Sequence, residues 1–158
     1  MRSPPAWLRW VFRAPRRLYD VGWGGLLGHR FLLLRHTGRR TGRQHAVVLE
    51  VLRHDPASGE HVVISGFGPR AGWLRNLDAG GPASVTVGRV TFAAQHHVLE
   101  ADTALAVLAD YERRNRLARP VLRRVLSVLV GRPYRGTAAD RRHAVTVLPL
   151  VGMRPVDR

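Results

Sequence analysis

The chain has 158 residues, room for one compact domain, and its 45% hydrophobic content supplies a core. That fraction, the lack of a glycine period and the absence of cysteine exclude a disordered chain, a collagen and a disulfide scaffold. The same absence removes thiolate nucleophiles and cysteine-based metal clusters. Net charge is +15, from 26 basic residues against 11 acidic ones, and every basic residue is arginine. Lysine-free composition rich in Ala, Val, Leu and Gly reads as codon bias in a GC-rich genome. What remains is a preference for anionic partners such as phosphates and polycarboxylates.

Residues 1–28 form a segment of their own. Trp7, Leu8, Val11, Phe12, Tyr19 and Trp23 are interrupted by Arg9, Arg13, Arg16 and Arg17. The pattern predicts a short amphipathic basic helix, broken near Pro15, that packs on the domain or touches a membrane surface. No run reaches the roughly eighteen apolar residues of a membrane span, and no cleavage site follows an apolar stretch. The expectation is a cytoplasmic protein with a peripheral contact at the inner membrane surface.

The domain over 29–158 then reads as short strands and helices. Phe31 to His36 is a strand, residues 37–43 are a turn with two glycines and three arginines, and His45 to Leu52 is the returning strand. Residues 55–59 reverse the chain, and Glu60 to Ser65 is a third strand. A loop at 66–69 leads to a short helix over 70–79, where Trp73, Leu74 and Leu77 share one side. Strands at 84–87 and 90–94, the latter running on to Leu99, flank the two-residue turn Gly88-Arg89. Asp102 is the expected N-cap of a helix to about Asn115, and Pro120 starts another with an apolar face. Residues 131–136 are a loop, and 144–151 a last strand. Short hairpins without alternating βαβ units predict an α+β fold, mainly β: a small antiparallel barrel with helices outside.

Two loops carry the chemistry. Glycines in the 37–43 turn expose backbone N–H groups, and Arg39, Arg40 and Arg43 add planar, permanently charged donors suited to phosphate or carboxylate. Thr41 adds a hydroxyl. Residues 65–73 link a strand to a helix start, with Arg70 at that start and Asn76 a turn beyond. The eight histidines show no metal-site spacing, and the adjacent His96 and His97 point to opposite sides of a strand, so no metal ligand is expected. Glu50 is a lone acid on a core-like strand, with nothing to make it a general base. Aromatics are not interleaved with arginines on an exposed sheet, which argues against a nucleic-acid module.

Taken in order, residues 34–43 (LRHTGRRTGR), 63–68 (VISGFG) and 73–77 (WLRNL) resemble the deazaflavin-dependent nitroreductase and quinone reductase family. Its members use coenzyme F-420 in actinobacteria and their relatives. The resemblance covers about residues 30–155. It implies a split β-barrel of the kind that also holds FMN, with F-420 rather than FMN in a groove beside it. By position, Arg39, Arg40, Thr41 and His45 would meet the cofactor's phosphate or polyglutamate tail. Val47 and Val48 would lie under the ring, and Ser65, Gly66, Phe67 and Gly68 along its edge. Arg70, Trp73 and Asn76 would hold the phosphate end. The implied reaction is hydride transfer from reduced F-420 to an electron-poor acceptor: a quinone, a nitroaromatic or an enone. No side chain need act covalently; Ser65 is the hydrogen-bonding candidate near ring or substrate, and Tyr111 and Tyr134 are candidates to line the acceptor side. A homodimer is expected, and no specific nucleic acid. His45 stands where many members have arginine, and Gly66 where lysine is frequent. These departures favour the alternative reading, a non-catalytic carrier of a fatty acid, haem or FMN on the same barrel.

Overall fold

The computed structural model describes residues 28–156. The expected N-terminal helix over 1–28 lies almost entirely outside them.

Six antiparallel strands close into a barrel: β1 (Phe31–Thr37), β2 (Gln44–Asp55), β3 (Glu60–Ile64), β4 (Ala83–Val87), β5 (Val90–Val98) and β6 (Leu150–Pro155). Their order around the barrel is β1-β2-β3-β6-β5-β4, and β4 returns to pair with β1. Strand closure leaves no sheet edge to aggregate. The apolar, β-branched runs in β1, β2 and β3 fill both faces, because the barrel has a core inside and helices outside.

Leu32, Leu34, Leu49, Val51, Val63, Val85, Val151 and Met153 fill the interior, and Trp73, Leu74 and Leu77 of helix α1 (Gly72–Asp78) plug it. On the outer face, Leu52, Val62, Leu99 and Leu150 meet α2 (Ala101–Arg114), α3 (Arg119–Val130) and α4 (Ala138–Val147). All three of these helices lie between β5 and β6 in sequence. Fully burying one such aliphatic side chain is worth about 1.5–3 kcal/mol, so the two clusters dominate cohesion.

Two expectations are corrected. The last strand does not begin at Ala144: residues 138–147 are helical, and the strand runs from Leu150 to Pro155. The helix is fixed at its start by a capping box, in which Thr137 accepts from the Asp140 N–H and Asp140 from the Thr137 N–H. Packing of Ala144 and Leu148 against α2 then overrides the β preference of Val145, Thr146 and Val147. The N-cap of α2 is Glu100, not Asp102, which sits in the first turn, where its charge meets the helix dipole.

The barrel also buries polar groups. Glu60 is held by Arg154 at 3.0 Å, His97 at 3.4 Å and Arg53 at 3.6 Å. Gly152 makes room for this carboxylate: a Cβ there would stand 2.5 Å from His97 Cε1 and 2.9 Å from Glu60 Cδ. His61 faces the barrel core beside Phe92, and burial, with the charge of His54 second, pushes its pKa down to about 4.

Candidate functional site

The turn joining β1 to β2 is closed by hydrogen bonds from Gly38 N to Arg43 O and from Gly42 N to Gly38 O, both 2.8 Å. Gly42 has φ +67°, and a Cβ on Gly38 would lie 2.8 Å from His45 Nε2. Both glycines are therefore required by this tight turn. Asn76, buried on α1, ties the turn to the barrel. Its Oδ1 accepts from Arg39 N at 3.2 Å and from Arg39 Nη1 at 2.9 Å, while its Nδ2 donates to His36 Nδ1 at 3.0 Å.

Arg39, Arg40, Arg43, Arg70 and Arg75 are exposed, and among the described residues no carboxylate forms an ion pair with any of them. Lost hydration, then repulsion from Arg75 and Arg40, lowers the Arg39 guanidinium below its ordinary pKa. Such a concentration of unneutralised guanidinium groups attracts a polyanion. Thr41 is exposed in the same turn, and the exposed His45 ring stacks on His36 at 5.6 Å. Burial, and then the His45 charge, lowers the His36 pKa.

A pocket of about 130 Å³ opens beside the barrel further along β2. Val47, Val48, Leu49, Glu50 and Leu52 form its floor, and Ile64, Gly66, Phe67 and Trp73 its side. Leu108 and Tyr111 of α2 close another side, and Leu122, Val125, Leu126 and Leu129 of α3 form the roof. Gly66 lets the roof come close, since a Cβ there would already stand 3.4 Å from Leu129 Cδ1. The lining is overwhelmingly apolar, as small-molecule pockets commonly are.

Its polar end is a pair. The Tyr111 hydroxyl donates to Glu50 Oε1, and Arg30 Nε lies 3.4 Å from the same oxygen. Burial first, and Glu50 second, raise the Tyr111 pKa, so the phenol stays protonated. Glu50 stands out in the sequence as a lone acid on a core-like strand, but nothing there gives it a place in the site. Its alternation with Leu49 and Val51 was the available signal. The α3 roof was visible only as an apolar helix face.

The expected site residues divide clearly. Val47, Val48, Gly66, Phe67, Trp73 and Tyr111 line the pocket, whereas Arg39, Arg40, Thr41, His45 and Asn76 gather at the turn. Arg70 is exposed at the end of the one-turn helix before α1. Ser65 is fully buried and its hydroxyl donates to the Gly68 carbonyl at 2.6 Å, so it cinches its own loop. Gly68 has φ +73°, and a Cβ there would crowd Val147 O at 3.2 Å. Tyr134 lies outside the pocket lining, donating to Glu112 Oε1 at 2.5 Å while Arg141 Nε holds Oε2 at 2.6 Å.

No curated protein matches the sequence. Among solved structures, the chain is similar to an F-420-H2 dependent reductase, FDR-A, at 15% identity and TM-score 0.50, over 81% of this chain and 96% of that one. It is also similar to a pyridoxamine 5'-phosphate oxidase-related, FMN-binding protein of Nostoc punctiforme. That match has 15% identity and TM-score 0.50, over 98% and 82% of the two chains. A structure described as a domain-swapped dimer matches at 16% identity and TM-score 0.51, over 93% and 98%. These likenesses show the split-barrel fold. The family model for F-420H(2)-dependent quinone reductase matches residues 7–125. The chain therefore belongs to the F-420H(2)-dependent quinone reductase family, oxidoreductases whose cofactor is coenzyme F-420.

Proposed function

We propose that the chain passes a hydride from reduced F-420 to an electron-poor acceptor, a quinone foremost, with nitroaromatics and activated enones as further acceptors. One observation carries the reading. Strand β2 leads directly from a turn rich in arginines, without a carboxylate partner among the described residues, into an apolar pocket, and F-420 joins a flat ring to a phosphate and carboxylate tail. Three residues of strand, roughly 10 Å, separate Gln44 from Val47. The residues present thus fit the group at both its ends.

When bound, reduced F-420 supplies a hydride from its deazaflavin ring. The chain supplies orientation and exclusion of water. Arg39, Arg40, Arg43, Arg70 and Arg75 hold the anionic tail. Val47, Val48 and Trp73 support the ring, while Phe67, 54% exposed, forms the rim. The α3 roof keeps the acceptor dry. Tyr111 and Glu50 give it one polar contact that fixes which edge enters.

Titration of the purified chain with oxidised F-420 and, separately, with FMN tests the reading through cofactor fluorescence. Saturable binding of F-420 alone, followed by turnover of a soluble quinone, is the expected result. Binding of neither, or of FMN alone, overturns it. The same reading includes a homodimer, supported by the likeness to a structure described as a domain-swapped dimer. Light scattering that gives a monomer mass removes that part. Contact of residues 1–28 with an anionic membrane suits a quinone acceptor and is supported by their basic, aromatic composition. Failure to float with anionic vesicles removes it.

A further inference from the structure

Three histidines meet at the end of β2 remote from the arginine turn. His54 and His61 are direct partners across β2 and β3, with rings stacked at 4.2 Å. His29, just ahead of β1, stacks on His54 at 5.6 Å. One ring nitrogen of each lies within 4.8 Å of the other two.

A bulge creates this arrangement. Val51 pairs with Val63, but Arg53 pairs with Val62, so Leu52 is an extra residue in β2. His61 shares the face of Val63, two residues on. His54 is three residues past Val51 and would face the other way in a regular strand. The extra residue turns it onto the face of His61. Because the three ligands come from the turn before β1 and from two strands, no local spacing announces them.

His61 adds a second observation. It is only 5% exposed, and its Nδ1 lies 3.0 Å from the Gly59 carbonyl, which can only accept. The Nδ1–H therefore donates, leaving a lone pair on Nε2. That Nε2 is buried and has no hydrogen-bond partner among the described residues. Buried polar atoms are nearly always paired. An imidazole held at one nitrogen by a main-chain carbonyl and bare at the other is oriented as metal-ligating histidines are.

We propose that His29, His54 and His61 together bind one divalent transition-metal ion of the zinc class through imidazole nitrogens, with water in the fourth position. An all-imidazole set suits zinc, copper or nickel rather than magnesium or calcium. Asp55 stays out of the set, since its oxygens cap the turn through Ala57 N and Ser58 Oγ. Zinc–nitrogen bonds of about 2.0–2.1 Å place the nitrogens of a tetrahedral site roughly 3.4 Å apart. The exposed His29 and His54 rings close that gap by turning about their side-chain bonds, while His61 stays fixed. None of the three histidines lines the pocket, and His54 and His61 share the inner face of β2 and β3, so the metal is a clasp on one end of the barrel and takes no part in hydride transfer. It stands whatever the acceptor proves to be.

The test uses the full chain, without a histidine tag and stripped by chelator. Zinc sulfate is titrated against a chromophoric chelator, and imidazole nitrogen shifts are followed by NMR. The expected result is one zinc per chain, a raised thermal midpoint, and movement of the His61 Nε2 resonance while Nδ1 keeps its proton. His54→Gln, at an exposed position that leaves the core intact, weakens binding by about tenfold or more. His143→Gln leaves it unchanged. Absence of stoichiometric zinc binding, an unmoved Nε2 resonance, or equal affinity in His54→Gln overturns the proposal.

Discussion

Asn76 Oδ1 accepts twice from Arg39, from the backbone N–H at 3.2 Å and from Nη1 at 2.9 Å. With its Nδ2 on His36, one buried amide thus links the barrel interior to the arginine turn. Asn76→Ala leaves buried groups unpaired and costs about 1–3 kcal/mol of stability, read from urea unfolding. It also weakens F-420 binding. Asn76→Asp keeps the acceptor for Arg39 but has no donor for His36, so it loses stability with a smaller loss of affinity.

Arg40 and Arg43 are exposed and pair with no carboxylate among the described residues, so their removal separates binding from folding. Arg40→Ala combined with Arg43→Ala leaves stability within about 0.5 kcal/mol. F-420 affinity falls about tenfold or more, and its dependence on salt becomes shallower. Fluorescence titration at two salt concentrations reads both effects.

Tyr111→Phe takes from Glu50 its partner inside the pocket and costs about 1–3 kcal/mol. With the arginines of the β1–β2 turn intact, F-420 affinity is retained while turnover of the quinone falls. Steady-state kinetics beside a binding titration distinguish the two.

His36 gives stability a pH dependence of defined sign. Burial lowers its pKa in the folded chain, and the amide of Asn76 donates to the neutral ring. Between the lowered value and the ordinary one, the unfolded chain binds more protons. The stability this neutral ring contributes is therefore full above about pH 6.5 and is lost as pH falls through the folded value. Urea midpoints at about pH 7.5 and about pH 5.5 should differ less in His36→Gln than in the parent chain, His61 being common to both.

Gly152→Ala places a methyl against Glu60 and His97, at 2.9 Å and 2.5 Å. Relief requires breaking a buried ionic cluster or shifting β6, and destabilisation of about 1–3 kcal/mol follows, measurable as a lower thermal midpoint.

The β1–β2 and β4–β5 hairpins were legible because both strand pattern and turn chemistry are local: Gly38 and Gly42 in one, Gly88-Arg89 in the other. Residues 144–147 misled because Val145, Thr146 and Val147 carry strand preference, while the decisive signal, Thr137 with Asp140, lies upstream in an apparent loop. Grouping Arg39 with Asn76 was within reach of motif order. The Tyr111–Glu50 pair spans 61 positions and comes into being only when α2 docks on β2. Tertiary register, not any shorter pattern, writes such a contact.

The pocket's two long walls are held in different ways. Its floor belongs to β2, whose residues pair with β1 or β3 everywhere except at the Leu52 bulge. Its roof is the apolar side of α3, whose side chains have no ladder to disturb. Substitutions at Leu122, Val125 or Leu129 can therefore reshape the space above the floor without altering strand register. On the proposed placement, acceptor range is set by one helix and the seat of the cofactor by one strand, so the two can change separately.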